Sequence, residues 1–213
     1  MPLLVLFDVD GTLFLTHDPL AGEALRATLE ERFDVRLRAD AIEHVDHEAQ
    51  TSLRIARLVL EAAGVTDIDG RSLAKWCPRF AERYLELLAD ADTSDWRAAP
   101  RAREVLEQLR AAGHRLALLT GNPEPMARAR LERLGLERFF PPDRGAFGCD
   151  AESRVELIAL ARARAGEWPA AATVEIGDTQ RDTESARAAG IHSIHVGASG
   201  LADAVARLPA RSA

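Results

Sequence analysis

The sequence predicts an α/β protein, a three-layer core built on a parallel sheet and carrying an inserted all-helical cap domain. Two observations predict it. Short, continuous apolar runs alternate with amphipathic stretches, which is the pattern of βαβ units. Between about residues 16 and 95 that alternation gives way to apolar positions at three- and four-residue spacing alone.

The first element is the run Leu3–Phe7, which ends abruptly at Asp8, Asp10 and Gly11. A short stretch with no polar alternation is what a strand covered on both faces looks like. Helices are expected over residues 20–33, 51–63 and 71–89, broken by Gly64, the Asp67–Gly70 stretch and the Asp92–Asp95 cluster. The core then resumes. A helix over Arg101–Ala112 leads to a strand over Arg115–Leu119, running into Thr120-Gly121-Asn122. A helix over Ser153–Ala165 leads to a strand over Ala172–Ile176, running into Gly177-Asp178-Thr179. A last strand over Ile191–Val196 runs into Gly197, Pro141 and Pro142 mark a loop, and the last few residues are expected to fray. The division is thus residues 1–15 and 96–213 for the core and 16–95 for the cap.

Composition excludes several classes. The chain of 213 residues is 47% hydrophobic, enough for a packed core, and disorder is not expected. A net charge of -7 leaves no basic excess for binding nucleic acid. The arginines of the clusters Arg101, Arg103, Arg110 and Arg128, Arg130, Arg133 are interleaved with glutamates at helical spacing and are expected on solvated helix faces. Lys75 is the only lysine, so a fixed cation in the second half of the chain must be an arginine. Cys77 and Cys149 sit alone and far apart, which suggests neither a disulfide scaffold nor a zinc cluster and points to a reducing compartment. The first residues do not read as a signal peptide, and no apolar run approaches ~18 residues. A soluble, cytoplasmic protein without membrane partners is expected.

Three loops carry the chemistry, each at the carboxyl end of a predicted strand, where open parallel sheets bind ligands. Asp8-Val9-Asp10-Gly11-Thr12 places two carboxylates directly after a buried strand, where they repel each other unless a cation lies close. Hard oxygen ligands favour magnesium. Thr120-Gly121-Asn122 offers a hydroxyl and backbone N–H groups suited to phosphate oxygens, although the same tripeptide is ordinary turn chemistry. In Gly177-Asp178-Thr179-Gln180-Arg181-Asp182, Asp178 can complete a metal site and Asp182 lies four residues on, or the two acids serve as a helix cap and a first-turn acid. Glu175 is an acid inside an otherwise apolar strand, its role open. His17, His44, His47, His192 and His195 are expected to be structural or exposed, and Trp76, Trp96 and Trp168 to sit in the core or at the domain junction.

The three loops together resemble the haloacid dehalogenase superfamily, with its Rossmann-like core. Its Asp-x-Asp-x-Thr motif is matched by residues 8–12, its Thr/Ser motif by Thr120, and its Gly-Asp-x-x-x-Asp motif by residues 177–182. For the superfamily's basic residue, Arg154 is the choice and Arg144 the alternative. The resemblance covers roughly residues 1–15 and 96–200. The stretch His47-Glu48-Ala49-Gln50 departs from the Gly-x-Thr-Asp-like cap loop of relatives.

The resemblance implies a magnesium-dependent phosphatase acting on a small-molecule phosphate monoester. Asp8 would be the nucleophile forming an aspartyl-phosphate, and Asp10 the general acid and then base. Thr120, the Gly121 N–H and Arg154 would hold the phosphoryl oxygens, with Gly11, Thr12 and Asn122 in the phosphate-binding loops. Magnesium would be held by Asp8, the Asp10 backbone carbonyl and Asp178, with Asp182 behind them. The carboxylate at position 10 favours phosphate esters over dehalogenation or phosphonate hydrolysis. A phosphomutase shares these residues, and a phospho-acceptor or binding module is the non-enzymatic alternative.

Overall fold

The computed structural model describes residues 2–208. Among these residues the chain forms a four-stranded parallel sheet, β1 (Leu4–Phe7), β2 (Arg115–Leu118), β3 (Thr173–Gly177) and β4 (His192–His195), in the order β2-β1-β3-β4. Strand β1 is central, pairing Leu4 with Arg115 on one side and with Thr173 on the other. Alternate residues of β1 enter different layers, as a pleated strand requires. Val5 and Phe7 pack with α4 (Ala102–Ala111), α5 (Glu124–Arg133) and α8 (Gly200–Val205). Leu4 and Leu6 pack with α6 (Arg154–Arg164) and α7 (Gln180–Ala188). The result is the α/β layering expected, with helices on both faces. Helix α8 was not legible: it is six residues long, too short for its Leu201 and Ala204 spacing to stand out as a helical period. The frayed terminus expected lies partly beyond the described residues.

Between the first and second strands stand α1 (Pro19–Phe33), α2 (Ser52–Ala62) and α3 (Gly70–Ala89), close to the predicted spans. Each begins on an aspartate or threonine side chain that accepts a backbone N–H: Asp18, Thr51 and Asp69. Their apolar faces share one cluster around Leu29, Leu60, Trp76 and Tyr84. The Trp76 indole N–H donates to the Thr28 hydroxyl at 2.9 Å. The chain leaves and re-enters at adjacent points, because the Leu15 N–H donates to the Arg97 carbonyl at 2.9 Å and the Arg97 N–H to the Thr16 hydroxyl at 2.8 Å. Trp96 packs against both this cluster and the sheet's own core, so it does sit at a junction.

Two sequence expectations fail here. Cys77 in α3 and Cys149 after β2 are joined in a disulfide, with Cα atoms 5.8 Å apart. The pairing was invisible because the two cysteines are 72 positions apart and the chain between them folds back, laying α3 against α5 and the segment that follows it. Arg130 is not on a solvated face: it is 3% exposed, whereas its neighbour Arg128 does pair with Glu124 at 2.7 Å as helical spacing predicts. Among the described residues no helix is long and apolar enough to cross a membrane.

Candidate active site

The site begins at the end of β1. The Asp8 N–H still donates to the Ile176 carbonyl at 3.0 Å, so this buried carboxylate is fixed by the sheet ladder. The chain then turns at once, the N–H groups of Leu13 and Phe14 both closing on the Val9 carbonyl at 2.8 Å. Gly11 at φ +74° makes the turn possible, and a β-carbon there would collide with the Asp178 carboxylate. Thr12 is wholly buried and gives its hydroxyl to Asp178 Oδ1 at 3.1 Å. The Asp10 side chain is held by other partners, with Oδ1 2.8 Å from Arg130 Nη1 and Oδ2 2.5 Å from Asn122 Nδ2.

After β2, Thr120 is buried, and its hydroxyl accepts from the Asn122 backbone N–H at 3.3 Å and from Asn122 Nδ2 at 3.0 Å. After β3, Thr179 caps α7 in a capping box. Its hydroxyl accepts from the Asp182 N–H at 3.1 Å, while Asp182 Oδ2 takes the Thr179 N–H at 2.9 Å. The first-turn-acid reading of Asp182 is therefore correct for one oxygen, whereas the cap of α7 is Thr179 and not Asp178. The other, Oδ1, is buried without a hydrogen bond and lies 2.7 Å from Arg154 Nη2 as an ion pair. Arg154 opens α6 and spreads its guanidinium beneath the site, 3.0 Å from Glu175 Oε1 and 3.7 Å from Asp8 Oδ1.

These loops meet around a cavity of about 580 Å³. Asp8, Asp10, Gly11, Thr120, Gly121, Asn122, Arg154 and Asp178 all line it. Thr12 and Asp182 stand behind its wall. Arg144 does not line it and approaches Asp143 at 3.7 Å instead. The opposite wall comes from the helical segment: His17 and Asp18, Phe80 of α3, and residues 47–50, the stretch that departs from the family pattern. His47 is committed to its own loop, its Nε2 2.6 Å from the Ile42 carbonyl. His192 and His195 are exposed on β4.

Sequence reasoning missed Arg130 and Asp18, which also line the cavity. A signal was present: in α5 the buried positions are Met126, Ala127, Arg130 and Leu131, so Arg130 falls on the apolar stripe. Glu175 is also resolved. It faces the α6 layer, fully buried, and Arg154 is its partner.

The site is short of positive charge. Burial pushes the Asp8 carboxyl well above its usual range, against the pull of Arg154, and the nearby Asp182 and Asp10 add to the rise. Asp178 is likewise raised, first by burial, although the Thr12 hydroxyl favours its charged form. Burial takes Glu175 up to about 7. Burial disfavours the Arg154 charge, but Asp8, Glu175 and Asp182 more than offset that, so the guanidinium stays charged. One arginine faces three acids. Carboxylate oxygens of Asp8, Asp178 and Asp182 lie within 4.8 Å of one another. That spacing and an all-oxygen donor set fit a hard divalent cation.

Comparison with known proteins bears on this geometry. Residues 3–190 match the model of the haloacid dehalogenase-like hydrolase family. A phosphoglycolate phosphatase of Pseudomonas fluorescens is 30% identical over 202 residues, covering 91% of this chain and 69% of that one. The tyrosine-protein kinase PtkA of Mycobacterium tuberculosis is 37% identical over 94 residues, 44% of this chain and 32% of that protein. So short a shared segment does not carry the kinase's activity across. The crystal structure of beta-phosphoglucomutase from Clostridium difficile superposes with a TM-score of 0.67 at 15% identity, covering 92% of this chain and 85% of that one, a likeness of fold. With the acidic loops converging at the strand ends and the family model spanning three of the four strands, the chain belongs to the haloacid dehalogenase-like hydrolases, on their phosphatase branch.

Proposed function

We propose that this protein is a magnesium-dependent phosphatase that hydrolyses a small phosphate monoester of the phosphoglycolate type through an aspartyl-phosphate on Asp8. One observation carries the reading: Asp8 lines the cavity at the end of β1 with the Arg154 guanidinium 3.7 Å away and the Thr120-Gly121-Asn122 loop lining the same cavity. A phosphoryl group seated there meets a nucleophile and, around its other oxygens, the Thr120 hydroxyl, the Gly121 N–H and Arg154. The substrate class rests on the phosphoglycolate phosphatases that match about nine-tenths of the chain.

In this reading an Asp8 oxygen attacks phosphorus in line, and the ester oxygen departs with a proton from Asp10. Asp10, now ionised, takes a proton from the water that attacks the aspartyl-phosphate, and phosphate leaves. Asp8, the Asp10 carbonyl and Asp178 would hold magnesium, with Asp182 behind. When bound, the ion would neutralise carboxylate and phosphoryl charge. Arg154, tied to Glu175 and Asp182, is held in one orientation and needs no reorganisation as charge moves onto the phosphoryl oxygens. Residues 16–95 would act as a cap excluding water from the core made of residues 1–15 and 96–213.

The test is release of inorganic phosphate from a panel of small esters, with and without magnesium, for the wild type and Asp8→Asn. Magnesium-dependent release that vanishes in the variant supports the proposal, and the preferred ester names the substrate. Release that persists in Asp8→Asn would refute the covalent route.

A further inference from the structure

Among the described residues, Arg130 is the one nearly buried guanidinium that the proposed chemistry leaves without a task. It projects from α5 and touches both the core loop and the helical segment. Its Nη1 donates to Asp10 Oδ1 at 2.8 Å and to Asn122 Oδ1 at 3.3 Å. Its other edge faces Asp18, with Nη2 at 2.8 Å and Nε at 3.1 Å from Oδ2, and Nε also meets the Tyr84 hydroxyl at 3.2 Å. Tyr84 in turn donates to Asp18 Oδ2 at 2.7 Å. The guanidinium also lies over two rings, 5.1 Å from the Phe14 centroid and 5.4 Å from that of Tyr84. A buried arginine paired on two edges costs desolvation and persists only where the geometry is well satisfied. Here one edge is satisfied by the N-cap of α1 and by α3, and the other by Asp10.

We infer that Arg130 is a positioning residue, aiming the Asp10 carboxylate and doing so in full only while Asp18 and Tyr84 are seated against it. The orientation of the proton carrier is thereby tied to the seating of the helical segment. Asn122 reinforces the aim, since it holds the other Asp10 oxygen and is itself held by Thr120. The inference rests on the reading of Asp10 as the group that first gives and then takes a proton.

Two esters separate this role from general damage. An alkyl phosphate needs its leaving oxygen protonated, whereas para-nitrophenolate leaves without help. Hydrolysis of the aspartyl-phosphate needs Asp10 as base in both cases. In Arg130→Gln, the steady-state kcat for the alkyl ester should therefore drop by ~100-fold with KM changed little, the scale of a lost acid–base contribution. With para-nitrophenyl phosphate, a rapid burst of nitrophenolate should remain near the wild-type rate and be followed by slow turnover. Arg130→Lys, which keeps the charge and guards against a folding failure of the Gln variant, should recover part of the slow step while its burst stays intact. Equal losses of burst and turnover in both variants, or a rise in KM alone, would overturn the assignment while leaving the phosphatase reading standing. A wild type that releases phosphate from no ester would overturn both.

Discussion

Arg154 Nη2 lies 3.0 Å from Glu175 Oε1, and neither side chain is open to solvent. The pair stands in the layer beneath the cavity, with Glu175 Oε2 unbonded. An acid buried this way is stored energy with a sign that pH reveals.

Burial raises the folded-state Glu175 to about 7, so between its ordinary value of 4.5 and about 7 the folded chain holds a proton that the unfolded chain has released. Stability must then fall as pH rises through that window. Denaturant unfolding of the metal-free protein should show the fall between about pH 5 and pH 7.5, and Glu175→Gln should flatten it by an amount on the order of 1 to 3 kcal/mol. Burial raises Asp8 and Asp178 too, which gives their contributions the same sign. An identical slope in both proteins would mean that Glu175 does not titrate there.

Removing Arg154 should do more harm than altering it. Arg154→Ala leaves Asp8, Glu175 and Asp182 facing one another and should cost about 3 to 5 kcal/mol of stability. Arg154→Lys keeps a charge but cannot reach all three carboxylates. It should fold, with kcat reduced by ~100-fold as an oriented donor is lost. Melting curves and steady-state rates on the two variants separate the structural part from the functional one.

The metal reading predicts a thermal signature that does not depend on turnover. A cation binding the folded chain alone raises its melting temperature with concentration. Magnesium should therefore stabilise the wild type and should stabilise Asp178→Asn much less, because a third of the carboxylate cluster has lost its charge. An unshifted wild-type melting curve at millimolar magnesium would argue against the site.

Much of this was legible before any coordinates. The strand ends at Asp8, Thr120 and Asp178 could be read because a buried parallel strand is a continuous apolar run and its polar terminus is abrupt. Arg154 came from the family resemblance, with Arg144 as the alternative. Arg130 was misread because helical spacing with glutamates describes Arg128 well and was extended to its neighbour, while its partners Asp18 and Tyr84 lie 112 and 46 residues away. The Cys77–Cys149 bond was lost for the same reason. Contacts across the chain's long detour leave no local trace.

That bond is itself open to test. Thiol titration of the denatured, unreduced protein should find no free cysteine, and reduction should lower the unfolding free energy. Chain entropy for a loop of 72 residues sets the scale at about 4 kcal/mol, an upper figure if the reduced unfolded state keeps structure. Two titratable thiols would contradict the pairing.

One seam between the two halves of the cavity is backbone on backbone, at Gly121. The Ser52 N–H donates to the Gly121 carbonyl at 2.8 Å, and the Ser52 hydroxyl reaches the same oxygen at 2.9 Å. A β-carbon on Gly121 would collide with the Gln50 carbonyl, which cannot swing aside as a side-chain end could. Gly121→Ala must therefore push the start of α2 away from the phosphate loop or distort the loop itself. Either change misplaces groups that need sub-ångström register, so kcat/KM should fall by ~10- to 100-fold. The melting temperature should fall only modestly, because the collision lies at a seam and not inside either apolar cluster. The comparison with Gly113→Ala makes the result readable: Gly113 has open space around it, but at φ +82° an alanine there carries backbone strain without any collision. Loss of activity at position 121 with stability kept, against loss of stability at 113 with activity kept, would establish that the seating of α2 on the Thr120-Gly121-Asn122 loop is a functional contact. The opposite pattern would make Gly121 a folding residue only.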